Sequence, residues 1–136
     1  MRIDKFTKEF RFLSNFWACR IELDGKVYAS VEEAYQAAKT ILKEEREGIR
    51  LAGTPGKAKR LGRKVTLRSD WEAVKVDIMR GFLQQKFKEG SSLHLMLRQT
   101  GDSELIEGNS WGDTFWGMCQ GKGENRLGKL LMEIRG

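Results

Sequence analysis

A mainly helical α+β domain around a small antiparallel sheet is the fold this sequence predicts, and three observations carry it. Residues Cys19 to Tyr28 alternate in polarity around Asp24-Gly25, a pair that suits a type I′ hairpin turn because both of its central residues take positive φ. Apolar residues then recur at helical spacing in several separate runs, most of them opened by Ser or Thr and closed near a glycine. Of 136 residues, 40% are hydrophobic and one is proline, enough to bury a core and with no marker of a disordered stretch or linker. Residues 1–136 therefore read as one domain.

The hairpin places Cys19, Ile21 and Leu23 on one side and Arg20 and Glu22 on the other. Ser30 followed by Glu33 is a capping box, and Val31, Ala34, Tyr35, Ala38, Ile41 and Leu42 continue at helical spacing behind it. That helix, or its continuation after a break near Gly48, is expected to end at Gly53. Thr54-Pro55 supplies an N-cap and a first-position proline for a short basic helix through Arg63. A second capping box, Ser69 with Glu72, opens a longer helix with Val74, Ile78, Met79, Phe82, Leu83 and Phe87 inward and Gly90 as its stop. Ser91-Ser92 restarts a short helix to about Gln99, closed by Gly101. Glu104 to Cys119 shows no helical period and reads as loop with short strands. Gly121-Lys122-Gly123 leads into a last helix, Glu124 to Ile134, striped by Leu127, Leu130, Leu131 and Ile134.

Counting excludes several chemistries. With Cys19, Cys119 and His94 as the only cysteines and histidine, neither a four-ligand Cys/His zinc site nor a disulfide scaffold can be assembled. No apolar run approaches about 18 residues and no secretory leader is present, so the expected setting is the cytoplasm, without a membrane and with both thiols reduced. Lys and Arg exceed Asp and Glu by 25 to 19, a net +6 that favours anionic partners, nucleic acid among them. A Walker A reading of Gly53 to Ala58 fails at Ala52 and Ala58, and a dinucleotide reading of Gly121-Lys122-Gly123 fails at Arg126. His94, set between leucines, reads as a core or surface residue.

Four constellations remain. Glu32, Gln36, Lys39 and Lys43 fall on one helical stripe, either a solvated face or a carboxylate in the first turn held for acid/base work, with the helix N-terminus favouring its anion. Asn109 to Gly117 packs Trp111, Asp113 and Trp116 into a loop, which is either core closure or an aromatic ligand platform beside a second carboxylate. Gly121 to Arg126 puts glycines, a lysine and free backbone N–H groups at a helix start, an anion site by physics or an ordinary glycine-rich loop. The basic run Lys57, Lys59, Arg60, Arg63, Lys64 and Arg68 reads as a phosphate cradle, a nucleic-acid face or plain surface.

Phe12-Leu13-Ser14-Asn15-Phe16, Ser30-Val31-Glu32 with Tyr35-Gln36-Ala37-Ala38-Lys39, Asp70-Trp71, Trp116-Gly117 and Gly121 to Gly128, taken in order, resemble the NADAR, or YbiA-like, family from about Phe6 to Arg135. The resemblance implies the YbiA-like α+β fold and an N-glycosidase without metal or cofactor. Its substrate would be a phosphoribosylated pyrimidine of riboflavin synthesis or, alternatively, ADP-ribosylated guanine in nucleotide or DNA. A non-catalytic module binding ADP-ribose or NAD is a third reading. Carried over by position, the family's catalytic glutamate falls on Glu32, its loop aspartate on Asp113 and its aromatic site residues on Trp71 and Trp116. Its Ser-Asn pair falls on Ser14 and Asn15, and its glycine-lysine-glycine turn on Gly121, Lys122 and Gly123, followed by Asn125 and Arg126. Gln36 and Asn15 would be polar contacts, and Lys39, Lys122, Arg126 and Arg63 would lie on the phosphate side. The chain departs from the family where Glu33 replaces a common histidine, Ala18 and Ala29 replace common prolines, and Met118 replaces an acidic residue of some members.

Overall fold

In the computed structural model, which describes residues 1–136, the chain sorts into two units, Asn15–Lys86 and Met1–Ser14 with Phe87–Gly136. Along the chain run β1 (Arg2–Ile3), a 3-10 helix (Lys8–Leu13), β2 (Ala18–Leu23), β3 (Lys26–Ser30), α1 (Val31–Ala38), α2 (Lys43–Arg50) and α3 (Pro55–Gly62). There follow α4 (Trp71–Lys86), α5 (Ser92–Arg98), β4 (Glu104–Leu105), β5 (Gly108–Asn109), β6 (Met118–Cys119) and α6 (Arg126–Arg135). The mainly helical α+β class holds. The sheet is more dispersed than expected: only β2 and β3 pair antiparallel, while β1 with β4 and β5 with β6 form parallel pairs.

In the Asn15–Lys86 unit, the β2–β3 hairpin turns on Asp24 and Gly25 at φ 48° and 80°, the positive pair that a type I′ turn requires. Strand β3 passes into α1 without a linker, and Ser30 Oγ accepts from the Glu33 N–H at 3.1 Å. The return half of the box is displaced by one residue, since the Glu33 carboxylate accepts from the N–H of Ala29 at 3.2 Å. All eight residues of α1 are buried, because the hairpin, α2, α3 and α4 all pack around it.

Several boundaries move from the sequence reading. Helix α1 stops at Ala38, and Ile41 and Leu42, expected on its apolar face, are 68% and 42% exposed. The break comes here because buried Thr40 accepts from the Leu42 N–H at 3.1 Å and donates to Glu45 Oε1 at 2.6 Å, opening α2. Gly48 therefore lies inside α2, which ends at Arg50 rather than Gly53. Helix α3 opens as expected, with Thr54 Oγ1 accepting from the Lys57 N–H. Helix α4 starts at Trp71, not at a Ser69–Glu72 box: the Asp70 carbonyl accepts from Ala73 and Val74, and Glu72 instead pairs with Lys75. It ends at Lys86, ahead of Gly90. Near that end Gln85 accepts from the Glu22 N–H and donates to the Glu22 carbonyl, covering the free edge of β2.

In the other unit, α5 is capped by Ser91, whose Oγ accepts from the His94 N–H. Helix α6 starts two residues later than the predicted Glu124 and buries Leu127, Leu130 and Leu131. No helix in the chain is long and apolar enough to cross a membrane.

Candidate active site

The predicted site residues divide between the two units. Asn15, Glu32, Gln36, Lys39, Arg63 and Trp71 belong to one, and Ser14, Asp113, Trp116, Gly121, Lys122, Gly123, Asn125 and Arg126 to the other.

Within the first, Glu32 sits in the opening turn of α1, its N–H donating to the Asn15 carbonyl at 3.0 Å. Glu32 is 9% exposed and Gln36 is 4% exposed, so the stripe is not a solvated face. It also stops at Lys39, since Lys43 opens α2. One turn on from Glu32, Gln36 Nε2 donates to Glu32 Oε2 at 2.6 Å. This is the arrangement that an ionised carboxylate, which only accepts, demands. No protein donor reaches Gln36 Oε1 or Asn15 Oδ1, whereas Asn15 Nδ2 donates to the sulfur of Met79.

Next along the helix, the Lys39 ammonium lies 5.7 Å from the centre of the Tyr35 ring. Burial lowers the Lys39 pKa, the Glu32 charge opposes that shift, and Arg63, Lys59 and Lys75 add to it. Tyr35 packs against Trp71, rings 5.1 Å apart and tilted by 57°. Trp71 is buried, so it backs Tyr35 and does not offer an open stacking face.

Arg63 stands at the C-terminal end of α3, on an open hollow of about 440 Å³ lined by Lys57, Arg60, Arg63, Lys64, Ala52 and Leu61. The four cations carry no ion pair, unlike Arg46, Arg50, Arg68, Arg80 and Arg126.

In the second unit, the Asn109–Arg126 segment is knotted by its own polar groups. Asn109 Oδ1 accepts from the Asp113 N–H and its Nδ2 donates to the Asp113 carbonyl and to Glu107 Oε2. Asp113 Oδ1 in turn accepts from the N–H groups of Phe115 and Trp116, a side-chain turn that commits one carboxylate oxygen to the backbone. Trp116 stands edge-on to Phe115, 4.9 Å between centroids, and Trp111 is the more exposed tryptophan of the loop.

The expected cradle of free amides at the start of α6 is not formed. Glu124, Asn125, Arg126 and Leu127 donate their N–H groups to the carbonyls of Thr114, Gly117, Phe115 and Trp116. The Asn125 side chain is spent likewise, accepting from the Glu107 N–H and donating to the Leu105 carbonyl, so it shapes the loop and presents nothing to a ligand. Arg126 pairs with Glu124 and lies 5.5 Å from the centre of the Phe115 ring. Gln120 and Gly121, at φ 54° and 75°, form a second tight turn closed by the Cys119–Lys122 hydrogen bonds, and the Lys122 side chain is exposed. Ser14, half-buried, ends the 3-10 helix with its N–H on the Arg11 carbonyl.

Sequence reasoning missed Tyr35 as the link between Lys39 and Trp71, although its helical position beside Gln36 was visible. It also missed Asn109 and Glu107, whose part depends on a loop fold with no period to read.

A family model described as the NADAR domain matches residues 3–136. The chain is 42% identical over 125 residues to the N-glycosidase YbiA of Escherichia coli, covering 90% of this chain and 78% of that one. A Nostoc punctiforme N-glycosidase is 39% identical over 137 residues, covering 96% and 87% of the two chains. A riboflavin biosynthesis protein of Vibrio vulnificus is 38% identical over 127 residues, covering 91% of this chain and 34% of its own. The NMR structure of the E. coli YbiA protein superposes with a TM-score of 0.85 at 38% identity, over 99% of this chain and 82% of the other.

Proposed function

Because the chain belongs to the NADAR domain family and resembles N-glycosidases over nearly its whole length, it is an N-glycosyl hydrolase, and we propose that it acts on a phosphorylated ribosyl pyrimidine of riboflavin synthesis. The reading takes residues 1–136 as one functional domain, across which the family model runs, in a cytoplasmic setting suited to the free thiols Cys19 and Cys119. The non-catalytic ADP-ribose or NAD module is superseded by the likeness to enzymes. The similarity to a riboflavin biosynthesis protein supports the choice of substrate.

The observation that carries the mechanism is the buried Glu32 carboxylate, held by Gln36 at the opening of α1. Cleaving a ribose–nitrogen bond leaves positive charge on the anomeric carbon and ring oxygen while the departing base takes the bonding electrons. Ionised Glu32 stabilises that cation or takes a proton from the water that adds to the carbon; either way the water's oxygen stays on the anomeric carbon and the proton it loses ends on the departing nitrogen. Such fixed charge, aimed where the transition state becomes polar, is commonly the largest catalytic contribution. Asn15 Oδ1, without a protein donor, is assigned to accept from a substrate hydroxyl, and Asp113, in the other unit, remains the second candidate carboxylate with one oxygen committed to the backbone. Trp116 is assigned to stacking on the base; Trp71, in the other unit, is buried behind Tyr35 and supports that ring. Lys39 and Arg63 are the phosphate-side candidates of the Asn15–Lys86 unit, and Lys122 and the Glu124-paired Arg126 those of the other.

Incubation of the protein with a phosphoribosylamino-pyrimidine, followed by mass spectrometry, tests this reading: free pyrimidine with ribose 5-phosphate is the expected product. Glu32→Gln should lower kcat on the order of 100-fold or more while substrate still binds, whereas Lys122→Ala should chiefly raise KM. Full activity of Glu32→Gln would overturn the assignment.

The unpaired cations around the α3 hollow favour a second reading, ADP-ribosylated guanine carried on DNA. Release of ADP-ribose from such a strand would support it. So would binding that weakens steeply with salt and loses about one unit of log-log slope for each of Lys57 and Arg60 changed to Ala.

A further inference from the structure

Gly62 leaves a gap in α3 that the Gln36 side chain fills. Helix α3 turns two small residues, Ala58 and Gly62, toward α1, and both are buried. A Cβ at position 62 would clash with Gln36 Oε1 and would stand 2.7 Å from Gln36 Cδ and 3.1 Å from Gln36 Cβ. The backbone does not call for glycine there, since φ at 62 is not positive. Nor is Gly62, the last helical residue of α3, the left-handed position past a helix end that favours glycine. Space alone explains it, in contrast to Gly56 on the same helix, where an added Cβ would meet nothing within 4 Å.

What occupies the space is the amide that holds Glu32. Gln36 Nε2 donates to Glu32 Oε2 while Gln36 Oε1 lies over Gly62, beyond reach of any protein N–H or O–H. The reversed amide would set its oxygen against the carboxylate and lose the only donor this side chain gives Glu32. The Gly62 gap therefore decides how far the amide can retreat and which end faces Glu32. Even a methyl group would push the amide along its own axis, toward or away from the carboxylate.

We propose that Gly62 is a positioning residue for the N-glycosidase reaction, acting through Gln36 on the Glu32 carboxylate. The proposal rests on the reading of Glu32 as the catalytic carboxylate. It touches no substrate and adds no step to the chemistry. Its contribution is the placement of one hydrogen bond, and displacement of a reacting group on the scale of 1 Å is enough to cost about 100-fold in rate.

The test measures kcat, KM and the pH dependence of kcat for Gly62→Ala, Gln36→Ala, the double variant and Gly56→Ala, with folding checked by circular dichroism. Gly62→Ala is expected to lower kcat about 10- to 100-fold with KM changed less than about 3-fold, and to move the acidic limb of the profile to higher pH as the carboxylate loses its donor. Gly56→Ala should behave as the parent protein. In the Gln36→Ala background the added methyl no longer meets the amide and keeps only the 3.1 Å approach to Cβ, so the double variant should stay within about 3-fold of Gln36→Ala, the non-additivity expected of residues in contact. The proposal is overturned if folded Gly62→Ala keeps both kcat and the acidic limb. It is equally overturned if Gly62→Ala lowers activity as much in the Gln36→Ala background as alone. Should Gly62→Ala by itself not fold, the comparison of Gln36→Ala with the double variant decides: activity within about 3-fold supports the proposal and a larger fall sinks it. Glu32→Gln, run alongside, separates the two readings. If it stays active, the catalytic assignment has failed. If it is inactive while Gly62→Ala is fully active, only the positioning role has.

Discussion

Asn125 is held at φ 51°, a left-handed conformation that asparagine tolerates better than most residues. There its amide joins the Leu105 carbonyl to the Glu107 N–H. Asn125→Ala leaves both backbone groups without that partner and adds backbone strain, so we expect a loss of about 2–4 kcal/mol in urea unfolding. Asn125→Gly, which removes the strain but not the lost bonds, should recover about 1 kcal/mol of that. A glycine variant no more stable than the alanine one would contradict this division. At this scale the sequence is half legible. The spacing of Glu32 and Gln36 puts them on one face, but whether that face meets water or protein is decided by α3 and α4, which arrive from elsewhere in the chain. The same holds for the amides at the start of α6: glycines and a helix start announce free N–H groups, and only the fold reveals carbonyls of residues 114–117 waiting for them.

Helices were readable where their caps are local. Ser30, Thr54 and Ser91 each precede a helix and each accepts from the N–H three residues on. Ser30→Ala should therefore cost about 1 kcal/mol, seen as a lower urea midpoint with an unchanged slope. Boundaries went astray where the deciding contact is less regular. Thr40 breaks the first helical pattern through a hydroxyl shared between Leu42 and Glu45, and Glu45 also accepts from Thr66, twenty-one residues away. The parallel pairs were beyond reach for a related reason: each strand is two residues long, and Arg2 finds Glu104 across nearly the whole chain. Two residues carry no alternation to read.

For the chain as a whole, the net charge of +6 was plain from composition, while its concentration around the α3 hollow depended on helical geometry and on which cations lack carboxylates. One buried cation bears on global stability. Lys86, at 3% exposure, is pushed down to about 8 by burial, with the Cys19 thiolate acting the other way. An unfolded lysine keeps its proton to about 10.4. Between these values the unfolded chain binds more protons than the folded one, so stability rises with pH through that window. Below pH 8 the folded state bears the full cost of the buried ammonium, about 3 kcal/mol. Stability curves for the parent and Lys86→Met should therefore converge or cross in the parent's favour from pH 8 to 10.5. Parallel curves would show that the buried ammonium does not set this dependence.

The joint between β3 and α1 also ties two side-chain choices to each other. Proline has no N–H, so a relative with proline at position 29 offers a carboxylate at position 33 nothing to accept from. Here Ala29 supplies that N–H and Glu33 takes it up, so a hydrogen bond links the two positions. Ala29→Pro alone should lose about 1–2 kcal/mol in thermal unfolding by stripping a donor from a buried carboxylate, and Ala29→Pro with Glu33→His should regain most of it. If the double variant is no better than the single one, the two positions vary independently. If it recovers, these sites are epistatic, and a lineage passing between the two pairings crosses a less stable ancestor, with alanine first as the gentler order.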